Sequence, residues 1–177
     1  MAVRYVRSTD GSDADGGTTW ALAKATVKGA SNIDTAGDTI WVSDNHAETT
    51  AAAIFFSWAG VAANLTHLLC GDDAAEPPTA LATTGTVTTT GNSQIIVMNA
   101  GEGYVYGLTF NAGSGATGTA GLILQNGVGT SWFERCSFRL GSTGTNSRVQ
   151  CCGVTNSHAV LMECTFRFSA ADQGVIV

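Results

Sequence analysis

The chain has 177 residues, enough for one domain with a substantial buried core. Charged residues make up only 12% of it, well below the usual share, and apolar residues run throughout, so neither disorder nor a charge-laced helix bundle fits. The net charge is −6. The basic residues Arg4, Arg7, Lys24, Lys28, Arg135, Arg139, Arg148 and Arg167 are scattered along the sequence, which argues against a nucleic-acid-binding surface.

Val3 to Arg7 alternates like a strand directly after Met1, with no apolar leader between them, so no signal peptide is read. A turn-rich stretch follows from Ser8 to Gly17. Thr18 or Thr19 can then cap a helix, and Trp20, Ala23, Val27 and Ala30 fall on one helical face, which predicts a helix over 18–28. Thr39 to Val42 alternates as a strand. Residues 1–50 therefore read as a strand and capping helix leading into a first coil, and 51–177 as the coils themselves. Residues 53–56 and 65–70 are strand-like, but no register can be assigned over 51–90.

From about residue 90 the chain repeats. The segments 106–110, 134–138 and 162–166 align without gaps, and Phe110, Phe138 and Phe166 are each 28 residues apart. Leu108, Cys136 and Cys164 keep that interval, as do Thr109, Ser137 and Thr165. Asn99, Asn126 and Asn156 are more loosely spaced. Such a period signals a solenoid, and the β-branched, aromatic and alternating content of each repeat excludes helical repeat types. The expected fold is all-β: a right-handed single-stranded parallel β-helix with an N-terminal capping helix. Stacked in register, Phe110, Phe138 and Phe166 point inward with Leu108, Cys136 and Cys164, while Thr109, Ser137 and Thr165 form an outward hydroxyl row. Arg135 should then pair with Glu163, and Arg139 should lie over Arg167.

The residues Asp10-Gly11 to Ala25, Ala36 to Val42, and His46 to Thr49 resemble the amino-terminal cap of pectate-lyase-like β-helices, above all those of bacteriophage and prophage virion proteins. The resemblance covers roughly residues 5–55. It implies a tail-spike, tail-fibre or capsid-decoration role.

Candidate sites are few. Asp10, Asp13 and Asp15 with Gly11 and Gly16 have part of a calcium-loop spacing, but Asp-Gly turns need no metal. Asp44, His46 and Glu48 alternate on one strand face, as an acid/base or metal set would, or as a polar turn that closes the first coil. Glu134, Arg135 and Glu163 do not form the repeated carboxylate pairs that polysaccharide cleavage uses. Cys70, Cys136, Cys151, Cys152 and Cys164 show no CxxC spacing and read as free thiols, with Cys151 and Cys152 on opposite strand faces. No catalytic, metal or cofactor residue is therefore assigned.

The expected function is structural: a component of a virus particle, assembled in the host cytoplasm, that contacts other virion proteins or its own copies as a homo-oligomer. Neither nucleic acid nor a membrane span is expected. The alternatives are the amino-terminal part of a carbohydrate-active enzyme, or a non-catalytic module that binds a host surface glycan. Aromatic residues with carboxylates on an outer face would favour these; a flat face of Thr, Ser and Ala would favour packing. Residues 173–177 repeat the character of 120–124 and so begin a new coil, which implies that the chain continues or that a partner covers Val175 and Val177.

Overall fold

The computed structural model describes residues 1–115 and 118–177. The protein is mostly β. After β1 (Val3–Val6), a 3-10 turn (Trp20–Leu22) and helix α1 (Val27–Ser31), the chain makes five circuits among the described residues. The first is β2 (Thr39–Ser43), β3 (Ala47–Thr50) and β4 (Ile54–Phe56), and the second β5 (Thr66–Gly71), β6 (Thr86–Thr89) and β7 (Ile95–Met98). The third is β8 (Gly103–Tyr106), β9 (Thr109–Gly115) and β10 (Gly121–Ile123), and the fourth β11 (Gly129–Glu134), β12 (Ser137–Ser142) and β13 (Arg148–Gln150). The fifth is β14 (Ser157–Met162), β15 (Thr165–Arg167) and β16 (Gly174–Ile176).

Each circuit adds one strand to each of three parallel sheets, ordered β1-β2-β5-β8-β11-β14, β3-β6-β9-β12-β15 and β4-β7-β10-β13-β16. Thr39 lies beside His67 and Gly129 beside Ser157, both 28 residues on, whereas His67 and Tyr104 are 37 apart. The 28-residue period thus also joins the first two circuits. It is hidden in the sequence because a long loop separates β5 from β6.

The phenylalanine register is as expected. Phe110, Phe138 and Phe166 are direct lateral neighbours. The first two rings are 5.9 Å apart and 10° from parallel, and the next pair 5.5 Å and 28°. Phe110 and Phe138 are fully buried, and Phe166, on the last circuit, is partly so. The same inward column begins with Glu48 and Val87. Ile40, Leu68, Val105, Phe133 and Leu161 form the inward column of the first sheet, and Ile54, Ile96, Leu122, Val149 and Val175 that of the third.

The segments 106–110, 134–138 and 162–166 are corners between two sheets rather than single strands. Gly107, Arg135 and Glu163 all take positive φ, at 75°, 51° and 51°. This left-handed step is free for glycine and costly for other residues, and it turns the chain from the first sheet into the second. Leu108 and Cys136, just past it, point inward and are buried. Asn99 and Asn126 do stack, with an amide hydrogen bond of 3.3 Å. Asn156 does not join them: Ser157 pairs with Gly129, so Asn156 lies in the next corner, itself at φ 63°.

The expected helix over 18–28 is two shorter pieces. Thr19 caps the 3-10 turn and Thr26 caps α1, each accepting a hydrogen bond from a backbone amide. Between them the backbone is extended, because Lys24 exchanges hydrogen bonds with Tyr5 and Arg7 alongside β1. Tertiary strand pairing overrides the helical pattern there. Trp20 packs on Tyr5 at 4.7 Å, in a small cluster with Ala23 and Trp41 outside the main core, while Val27 and Ala30 enter that core. Only α1 therefore caps the interior.

Asp38, fully buried, secures the approach to β2. Its carboxylate accepts hydrogen bonds from the amides of Ala2 and Thr35. Burial opposes its ionisation, but these amide bonds prevail and hold its pKa below the usual carboxylate range. A lowered folded-state pKa contributes stability that is present above the unfolded value, near ~3.9, and is lost as pH falls through the folded value. Asp38→Ala should cost about 1–3 kcal/mol at pH 7, since it removes two part-buried hydrogen bonds to a charged group, from the amides of Ala2 and Thr35. Denaturant titrations at pH 7 and pH 2 should show the difference shrinking at the lower pH. An equal loss at both would overturn the assignment.

Candidate functional site: the outer faces of the sheets

The three sheets present different chemistry to their surroundings. On the first, parallel register builds two outward columns. One holds His67, Tyr104, Trp132 and Val160; the other holds Trp41, Leu69, Tyr106, Glu134 and Met162. The second sheet is small and polar at Thr86, Thr88, Thr109, Ser137 and Thr165, with Arg139 and Arg167 at one margin. The third carries exposed apolar groups, Phe55 and Ile176 among them.

The first face has the most chemistry. The His67 and Tyr104 rings are 5.9 Å apart. The Tyr104 hydroxyl donates to a Glu134 carboxylate oxygen at 2.6 Å. Burial, and the Glu134 carboxylate beside it, push the Tyr104 phenol to a higher pKa, so it remains a donor. Arg135 donates to Glu163 at 2.8 Å and to the Tyr106 hydroxyl at 3.3 Å. The bond to Glu163 raises the guanidinium pKa further, but so exposed a pair adds little to stability. Glu102 accepts from the Thr130 amide at 3.0 Å. The result is a platform of aromatic rings with hydroxyl donors and carboxylate acceptors at its edge.

These columns escaped the sequence reading, although Tyr104, Trp132 and Val160 keep the same 28-residue interval as the phenylalanines. The flat face of small hydroxyl residues that would favour packing is found on the second sheet.

The other candidates separate. Asp10 pairs with Arg7 at 2.6 Å, and Asp13 accepts from the Thr26 amide and hydroxyl at 3.0 and 2.7 Å, so both carboxylates are engaged within the protein. Asp44, His46 and Glu48 do not share one environment. Asp44 is in a turn, half-exposed, whereas His46 and Glu48 are buried beneath α1. His46 Nε2 is 3.4 Å from a Glu48 oxygen, which accepts the Val27 amide at 2.9 Å. The expected polar turn with a locally hydrogen-bonded histidine is not what forms: Glu48 lies in β3, and neither ring nitrogen of His46 has a hydrogen-bond partner among the described residues. The five cysteines are free thiols. Cys151, buried, and Cys152, half-exposed, lie past the end of β13 and not on the two faces of a strand, and both pack on the core. Burial pushes Cys136 up, and its hydrogen bond to Cys164 lowers the latter. Arg135, Arg139 and Arg167, scattered in sequence, line one cleft in space.

Among the described residues, no helix is long and apolar enough to cross a membrane. No protein-family model and no curated protein matches the chain.

Proposed function

We propose that the protein is a right-handed parallel β-helix serving as a structural component of a virus particle, its outer faces packing against its own copies or other virion proteins. One observation carries this reading: three parallel sheets visited in rotation and held in register leave long, flat, side-chain-lined faces. The third face adds exposed apolar groups at its two ends, Phe55 at 43% on β4 and Ile176 at 46% on β16. The amino-terminal resemblance to phage β-helix caps supports the setting, and with it assembly in a host cytoplasm. Mass spectrometry of purified particles from cells that encode the chain should find it in fixed ratio to the major capsid or tail proteins. Recovery only from the particle-free lysate would overturn the reading.

The aromatic columns of the first face favour a second reading, a non-catalytic glycan-binding surface. Tyr and Trp rings offer a rigid apolar platform with polar tips, as saccharide rings require. Trp132→Ala should then abolish retention on a surface-polysaccharide column without altering the folded far-ultraviolet spectrum. Unchanged retention would remove this second role.

A further inference from the structure

On the outer side of the second sheet, Thr109, Ser137 and Thr165 form one column and Asn111, Arg139 and Arg167 the next. Parallel register puts the backbones of Arg139 and Arg167 one strand spacing apart, about 4.8 Å. Both side chains are exposed on the same side. Neither guanidinium has a hydrogen-bond or ion-pair partner among the described residues.

The surroundings make this more than two surface charges. Arg139, Arg167, Thr83, Thr109, Ser137 and Thr165 line a cleft of about 340 Å³, with Arg135 and Glu163 in its wall. Glu163 is the one carboxylate lining it, and Arg135 already holds that group at 2.8 Å. Three of the chain's eight basic residues thus meet at one cleft of a protein with net charge −6. Two stacked like charges destabilise each other unless an anion lies between them. Guanidinium forks match the geometry of planar and tetrahedral oxyanions, and neighbouring hydroxyls add neutral donors. Two free guanidinia are too few to track a nucleic-acid backbone.

We infer that this cleft is an oxyanion-binding site, in which Arg139 and Arg167 together grip a carboxylate, sulfate or phosphate group and Ser137 and Thr165 donate from the adjoining column.

The test is calorimetric titration of the full chain with sodium sulfate against sodium chloride at matched ionic strength. It is followed in parallel by the arginine Nε–Hε resonances. Sulfate should bind and shift the Arg139 and Arg167 signals, and chloride should not. Arg139→Gln and Arg167→Gln should each weaken binding about tenfold, the loss of one charge-assisted contact. The double variant should bind no sulfate, and the charge-preserving Arg139→Lys should fall between. Arg148→Gln, on the third sheet, should bind as the parent does. Dextran sulfate, compared per sulfate group, distinguishes the ligand's source: a large gain marks a site for a polymer, and parity a site for a free ion. Equal response to chloride, or sulfate binding retained in the double variant, would overturn the inference.

Discussion

Replacing Phe138 with Ala should lower the unfolding free energy by about 3–5 kcal/mol, the cost of a large aromatic deletion at a site that cannot collapse. Phe138 lies between Phe110 and Phe166 and also meets Phe133 edge-on at 5.3 Å. Backbone hydrogen bonds fix the strands on both sides of it, so neighbouring rings cannot close on the space it leaves. Phe166→Ala should cost clearly less, because that ring is only partly buried and has a ring neighbour on one side. The ordering is the sharper claim. Denaturant unfolding of the two variants checks it, and an equal or reversed order would mean that the inward column is not continuous.

That column was legible because it obeys a single arithmetic, and the interval that aligns Phe110, Phe138 and Phe166 also fixes Thr109, Ser137 and Thr165. The corners were not legible. Positive φ at Gly107 is easily foreseen, but Arg135 and Glu163 carry no sequence mark of it, and their shared conformation follows only from stacking on the glycine corner. Asn156 misled for the opposite reason: a residue type favoured in turns recurs in whichever turn needs it. The Trp20 to Val27 pattern satisfied helical periodicity while its backbone was claimed by β1 through Lys24. The candidate surfaces show the same division. Tyr104 and Trp132 share the legible interval, whereas the meeting of Arg135, Arg139 and Arg167 at one cleft depends on two sheets joining at a corner.

Removing residues 1–31 should convert the protein into an associating or insoluble species, for three reasons that act together. First, β1 pairs along β2 from Thr39 to Val42, and its loss leaves a parallel edge open to pairing with another chain. Second, Val27 and Ala30, both fully buried in the core cluster, would no longer cover the apolar end of the first circuit. Third, Glu48 would lose the Val27 amide that satisfies its buried carboxylate, and His46 beside it already has both ring nitrogens without hydrogen-bond partners. While α1 is seated, the Glu48 carboxylate is buried with a backbone amide for a partner, as buried polar groups require. A point substitution isolates the second reason. Val27→Asp puts an unpaired charge into the cap beside Glu48 and should cost at least about 3 kcal/mol, as uncompensated buried charges do. Val27→Ile keeps the apolar contact and should cost far less. Sedimentation of the truncated chain at tens of micromolar, together with unfolding of the two Val27 variants, tests the cap. A stable, soluble monomer without residues 1–31, or Val27→Asp as stable as the parent, would show that α1 merely lies near the core without closing it.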